Sequence, residues 1–137
     1  MRKINYIVVH CSATREGCTL TSEALEAEHR RRGFRTTGYH YYIRRDGTVL
    51  GTRSLELPGA HCRGHNKYSI GICYEGGLDA RGNPKDTRTP EQRSALHLLV
   101  YQLLQQFRNA RVCGHRDLSP DLDGDGKVEP REWVKQC

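Results

Sequence analysis

The hydrophobic positions of the chain fall into short apolar runs and one longer periodic stripe. Residues 6–10 and 69–74 are apolar runs that contain β-branched side chains, and residues 112–114 are a shorter run, so each is predicted to form a buried strand. Residues 39–43 and 48–50 flank an Asp-Gly pair, which is a strong signal for a β-hairpin.

Two segments carry helix signals. Residues 21–32 contain helix formers between Thr21, a candidate N-cap, and Gly33, a stop signal, but their weak apolar pattern predicts a surface helix. A second helix begins with a capping box at Thr89 and a proline, Pro90, at the first helical position. Its apolar stripe has helical spacing and is interpreted as core: Leu96, Leu99, Val100, Leu103, Leu104 and Phe107.

Because strands and helices alternate, the predicted fold class is α/β, with a central mixed β-sheet flanked by helices. The length of 137 residues fits a single domain, residues 1–137. Charged residues make up 28% of the chain and hydrophobic residues 36%, which is typical of a globular protein rather than a disordered one.

The net charge of +6 would attract anionic polymers such as nucleic acid, anionic lipid or cell-wall polymers, or would serve only to keep the surface soluble. Four of the cations, Arg30, Arg31, Arg32 and Arg35, cluster at the end of the first predicted helix, where positive charge also favours the helix dipole. The chain has no basic-aromatic RNA motif and no zinc-finger spacing, so nucleic acid is not expected as a partner.

The first ten residues contain a single three-residue apolar run, too short for a signal-peptide core or a membrane span. We therefore expect synthesis in the cytoplasm and delivery to any external target by another system. Without a signal peptide, the six cysteines favour thiols or metal ligands over a disulfide framework.

Two histidines are candidate metal ligands. His10 and His115 each lie at the carboxyl end of a predicted buried strand, where ligand sites form in α/β sheets. A catalytic zinc ion takes three nitrogen, sulfur or oxygen ligands from the protein and keeps one position for water, a need that two histidines and one cysteine would meet. Spacing alone leaves open that both histidines are structural.

Several blocks of the sequence resemble one family. Residues 9–14 (VHCSAT), 38–49 (GYHYYIRRDGTV), 59–66 (GAHCRGHN) and 69–72 (SIGI) are similar to zinc amidases of the phage lysozyme type. These N-acetylmuramoyl-L-alanine amidases are related to animal peptidoglycan recognition proteins. The blocks occur in the family's order and the resemblance covers nearly the whole chain, so it implies the family's single α/β domain.

The resemblance also implies roles for individual residues. His10, His115 and Cys137 match the zinc ligands, and Tyr39 and Lys135 match the active-site tyrosine and lysine. The sequence alone leaves open that Tyr39 is an ordinary aromatic residue of a strand and that Lys135 is an ordinary surface lysine. Four further histidines are expected to be ordinary: His29, His40, His65 and His97.

The implied reaction is hydrolysis of the amide between N-acetylmuramic acid and L-alanine in peptidoglycan or muropeptides. Zinc would lower the pKa of its bound water from about 15.7 to roughly 7, while Tyr39 and Lys135 would stabilise the oxyanion. His61 and Asn66 match positions that line the substrate groove. The general base stays open between Tyr39 and Glu75.

A second metal motif lies near the carboxyl end. Residues 121–132 match the twelve-residue EF-hand calcium loop, with Gly at its sixth position. A polar turn is the alternative. Because the motif lies between His115 and Cys137, bound calcium would order the segment that carries Lys135. The predicted calcium ligands are Asp121, Asp123, Asp125, Lys127 through its carbonyl, and Glu132.

The main alternative function is a non-catalytic peptidoglycan-binding module. Such relatives typically lose the cysteine ligand, so the presence of His10, His115 and Cys137 together favours an enzyme. A calcium-regulatory protein is a weaker alternative, because one loop is too little for a paired sensor. The sequence makes no prediction of the oligomeric state.

Overall fold

The elements of the fold alternate between strand and helix, as the sequence predicts. The computed structural model describes residues 2–118. Short 3-10 turns occupy Asn66–Tyr68 and His115–Leu118. Along the chain the other elements are β1 (Tyr6–Cys11), β2 (Thr14–Arg15), α1 (Ser22–Arg31), β3 (Tyr41–Ile43), β4 (Val49–Gly51), β5 (Ser69–Tyr74), β6 (Gly77–Leu78), α2 (Pro90–Gln106) and β7 (Arg111–Gly114).

Five strands form the central sheet in the order β4-β3-β5-β1-β7. β1 pairs in parallel with both β5 and β7, and β3 pairs in parallel with β5, whereas β3 and β4 form the predicted antiparallel hairpin. The predicted mixed sheet is therefore confirmed. Ile7, Val8 and His10 of β1 are completely buried, because helices cover both faces of this parallel core.

α2 is attached to the sheet at its first turn as well as along its apolar stripe. Thr89 and Gln92 form the predicted capping box, and the buried Gln92 amide also donates to the carbonyls of Ile43 and Glu75. The predicted stripe packs against isoleucines on one face of the sheet. The first turn of α2 thus fixes the ends of two strands that border the candidate site.

The two faces of the sheet have different cores. Ile43 and Ile72 belong to the cluster beneath α2, whereas their neighbours Tyr42 and Cys73 belong to a second cluster with Leu25 of α1. Side chains alternate between faces along a strand. β1 follows the same alternation, and His10, its next-to-last residue, lies on the α1 face.

The sequence missed one small sheet but predicted the surface position of α1. β2 and β6 form a separate two-stranded parallel sheet. No apolar pattern predicted it, because each strand has only two residues. Of the ten residues of the predicted surface helix α1, only Leu25 and His29 are buried, so its predicted place at the surface is confirmed. Its apolar pattern was weak because one of its two buried positions is a histidine.

The described cysteines differ in their burial. Cys11, Cys62 and Cys73 are buried and Cys18 is exposed, and no disulfide joins any two cysteines between residues 2 and 118. Neither helix in this part of the chain combines the length and apolar character that a membrane crossing requires.

Candidate active site

Two histidines meet at the carboxyl ends of adjacent parallel strands. His10 is the next-to-last residue of β1, and His115 directly follows β7. Their ring centroids are 4.9 Å apart with an interplanar angle of 73°. Two imidazoles that share a tetrahedral zinc ion, at Zn–N distances near 2.0–2.1 Å, have ring centres about 5 Å apart. The pair therefore fits two ligands of one zinc ion.

Both histidines turn nitrogen atoms into the protein. The Nδ1 atoms of His10 and His115 are buried, and the whole His10 side chain is inaccessible to solvent. The Nε2 atom of His10 lies 2.8 Å from the Nδ1 atom of His61. His61 therefore contacts a predicted metal ligand directly, although the resemblance implied a place for it in the substrate groove.

Tyr39 lies beside this histidine pair. Its ring centroid is 5.1 Å from that of His10, and its side chain is nearly buried. The Tyr39 carbonyl accepts hydrogen bonds from the Thr37 and Thr52 hydroxyls, at 2.9 and 2.7 Å, so its backbone is fixed on both sides. The structure thus brings together His10, His115 and Tyr39 from three separate segments.

The neighbouring tyrosines have other surroundings. Tyr42 is completely buried, and its hydroxyl donates to the carbonyl of Leu20 at 2.7 Å. Burial raises the pKa of Tyr42 above its ordinary value. Tyr41 packs on the opposite face of the sheet, against the core beneath α2. Of these three tyrosines, only Tyr39 has a ring contact with His10.

Two histidines that the sequence left as ordinary support this region. The backbone N–H of Gly38 donates to the Nδ1 atom of His29 at 2.7 Å, and the His29 ring packs against Tyr39 at 5.4 Å. The Gly71 N–H donates to the Nδ1 atom of His40 in the same way. Burial, with a smaller contribution from the nearby Arg2, lowers the pKa of His40 to about 4. His40 is therefore neutral at physiological pH.

Asn66 organises the loop that carries His61. Its side-chain oxygen accepts hydrogen bonds from the backbone N–H groups of His61 and Cys62, at 3.0 and 2.9 Å. These bonds close a tight loop immediately before β5. Asn66 thus has a structural part in placing His61, in addition to the groove position that the resemblance implied.

Glu75 is a structural anchor rather than an available base. Its carboxylate accepts hydrogen bonds from the Leu20 N–H, the Arg44 guanidinium and the Arg45 N–H, at 2.7 to 3.0 Å. Burial alone would raise the pKa of Glu75, but the hydrogen bonds outweigh it and hold the pKa below its ordinary value. Three donors leave this carboxylate little capacity to take a proton, so of the two bases considered, the structure disfavours Glu75.

Several predicted site residues lie outside the described residues. They are the third zinc ligand, Cys137, the active-site lysine, Lys135, and the whole calcium motif, residues 121–132. Between residues 2 and 118, no group of three or more His, Cys, Asp or Glu side chains is arranged to hold a metal ion.

The fold and the site together define a class of protein. It is an α/β protein whose histidine-lined site lies at the carboxyl ends of parallel strands, where open α/β sheets place their active sites.

Comparison with known proteins identifies the family. The sequence profile described as N-acetylmuramoyl-L-alanine amidase (Amidase_2) matches residues 1–132. The endolysin of Enterobacteria phage K11 is 39% identical over 127 residues, which cover 93% of this chain and 83% of the endolysin. The chain therefore belongs to the N-acetylmuramoyl-L-alanine amidase family and is an enzyme of that class.

A solved structure and a more distant relative agree. The N-acetylmuramoyl-L-alanine amidase LysC from Clostridium intestinale URNW superposes with a TM-score of 0.75 at 28% identity, covering 96% of this chain and 82% of LysC. A peptidoglycan-recognition protein of Drosophila melanogaster is 29% identical over 120 residues, which cover 84% of this chain and 65% of that protein. The predicted fold class and family resemblance are confirmed.

Proposed function

We propose that this amidase is zinc-dependent and hydrolyses the amide bond between N-acetylmuramic acid and L-alanine in bacterial peptidoglycan. The observation that carries the proposal is the His10–His115 pair, whose ring spacing of 4.9 Å suits a shared zinc ion beside Tyr39. Cys137 is the proposed third ligand. Bound zinc would supply Lewis acidity and a water of lowered pKa.

The protein's own residues have separate parts in this proposal. His10 and His115 would hold the ion at the ends of β1 and β7, which would keep the reaction centre fixed relative to the sheet. The Tyr39 hydroxyl donates a hydrogen bond to the oxyanion that forms at the amide carbon, and the Lys135 ammonium adds positive charge there. His61 and Asn66 belong to the loop that borders this centre.

The proposed place of action is the cell wall. The relatives at 39% identity are phage endolysins, and the substrate is accordingly intact peptidoglycan or soluble muropeptides. The chain would reach this substrate after release or delivery by another system. The surplus of cations, with a net charge of +6, would favour its approach to anionic wall polymers.

Removal of the metal tests the proposal. We expect chelator-treated protein to lose amidase activity and one equivalent of zinc to restore it, because the nucleophile needs the lowered pKa. Mass spectrometry of digested peptidoglycan should show stem peptides that begin with a free L-alanine amine. Full activity of metal-free protein would contradict zinc dependence, and binding of peptidoglycan without cleavage would instead indicate the non-catalytic module.

We also propose that residues 121–132 bind calcium, since every key position of the EF-hand loop is filled. Asp121, Asp123, Asp125 and Glu132 supply carboxylates, and Lys127 supplies its carbonyl. We expect isothermal titration to detect one Ca²⁺ site, and Asp123→Ala to remove it while Asp79→Ala, outside the motif, leaves it unchanged. Absence of any heat of binding at millimolar Ca²⁺ would refute this proposal.

A further inference from the structure

A short row of hydrogen-bonding side chains runs inward from His10. The Nε2 atom of His10 lies 2.8 Å from the Nδ1 atom of His61, and the Nε2 atom of His61 lies 3.0 Å from the Ser69 hydroxyl. All three side chains are buried, with exposed fractions of 0%, 9% and 0% for His10, His61 and Ser69. Both ring nitrogens of His61 are thus engaged inside the protein.

The backbone around His61 is shaped to admit its ring. A Cβ atom on Gly71 would lie 2.6 Å from two ring atoms of His61, and one on Gly59 would lie 2.5 Å from the His61 ring. Real side chains do not approach so closely, so the two glycines leave a slot that the imidazole fills. Asn66 fixes the backbone at the same residue. The position of the His61 ring is therefore fixed by its own backbone and by the segments of Gly59 and Gly71 that flank the ring.

Hydrogen-bond chemistry gives this row a direction. A neutral imidazole has one donor and one acceptor nitrogen. Because the Nε2 atom of His10 is directed at His61, the Nδ1 atom is the one that would bind zinc, and Nε2 then carries the proton. His61 must accept that proton's hydrogen bond at Nδ1, and it therefore donates from Nε2 to Ser69.

We propose that His61 is a positioning residue for His10: it selects the His10 tautomer and fixes the ring orientation that zinc requires. This inference rests on the proposed zinc site. Ligating histidines generally donate their second N–H to an acceptor, and loss of such an acceptor typically weakens metal binding about 10–100-fold. Here the acceptor is another imidazole, itself oriented by the Ser69 hydroxyl. His61 thus acts through His10, and its buried ring has little surface to offer a substrate.

A matched pair of variants at position 61 tests the role. Asparagine places its side-chain oxygen close to the position of the imidazole Nδ1 atom and keeps the acceptor, whereas leucine has a similar shape and no acceptor. In zinc competition against a chromophoric chelator, His61→Leu should weaken zinc binding about 10–100-fold, and His61→Asn should stay within about threefold of the unaltered protein. The visible spectrum of the Co²⁺-loaded protein should change in His61→Leu and be retained in His61→Asn.

Thermal unfolding of the metal-free variants measures the stability of the fold without zinc. It therefore separates a loss of zinc affinity caused by lost positioning of His10 from one caused by a damaged fold. If both variants lose zinc affinity equally, or if neither does, the inference is wrong. If the unaltered protein itself binds no zinc, the proposed zinc function fails and the inference fails with it. If the unaltered protein binds zinc and His61→Leu matches its affinity, the zinc function stands and the positioning role alone is overturned.

A measurement on the unaltered protein keeps the inference testable if His61→Leu does not fold. Long-range ¹H–¹⁵N correlation spectra report which nitrogen of each imidazole carries a proton. In zinc-loaded protein we expect the proton of His10 on Nε2, the Nδ1 atom of His61 unprotonated and the proton of His61 on Nε2. A proton on the Nδ1 atom of His61 would overturn the inference, because His61 would then be a donor toward His10.

Discussion

His10→Ala should abolish peptidoglycan hydrolysis and reduce bound zinc from one equivalent to a trace. Without His10, the ion keeps two of its three proposed ligands, and a catalytic zinc site needs three. The attacking water would return from a pKa of roughly 7 toward about 15.7, so we expect the rate to fall by on the order of 10³-fold or more. Zinc analysis together with release of stem peptides measures both effects.

The control for this variant is His97→Ala, because His97 is exposed on α2, on the other side of the sheet. It should retain zinc and full activity. Because His10 is completely buried, circular dichroism of His10→Ala must first establish that the fold persists. A folded His10→Ala protein that still binds one zinc ion would show that the assignment of this ligand is wrong.

Tyr39→Phe should lower kcat about 10²–10³-fold, the usual cost of one lost oxyanion donor. The substitution removes only the hydroxyl and keeps the ring that packs against His10 and His29, at 5.1 and 5.4 Å. Zinc content and KM should therefore change little. Steady-state kinetics on a soluble muropeptide, with zinc measured on the same samples, separate the loss of transition-state stabilisation from a loss of metal.

Tyr41→Phe is the matched control, because Tyr41 lies on the opposite face of the sheet from the site and packs against the core beneath α2. Its activity should stay close to that of the unaltered protein. If Tyr39→Phe and Tyr41→Phe behave alike, then Tyr39 has no part in the chemistry and serves only to pack the site.

The sequence predicted those elements whose signals are local. The capping box at Thr89 and the stripe from Leu96 to Phe107 predicted α2, and the Asp-Gly pair predicted the hairpin of β3 and β4. His10 and His115 were singled out because each lies at the carboxyl end of a recognisable strand. The family blocks added Tyr39, which no local pattern distinguished from Tyr41.

The parts that the sequence missed depend on contacts between distant segments. Glu75 accepts hydrogen bonds from Leu20 and Arg44, which lie 55 and 31 positions earlier in the chain. His29 accepts a hydrogen bond from the loop nine positions later. Neither role therefore has a local signal in the sequence. One usable signal was overlooked. In β5 the small residues Ser69 and Gly71 alternate with isoleucines, which marks a face where another side chain, here His61, occupies the space.

The separation of two cores by the sheet has a consequence for engineering and for evolutionary drift. Leu96, Leu99 and Leu103 pack on one face, whereas His10, Tyr39 and His61 meet on the other. The five strands act as a partition, so repacking the leucine side for heat resistance changes little in the geometry of the imidazoles. Variants selected for robustness can therefore accumulate beneath α2 while catalytic specificity is tuned independently beneath α1.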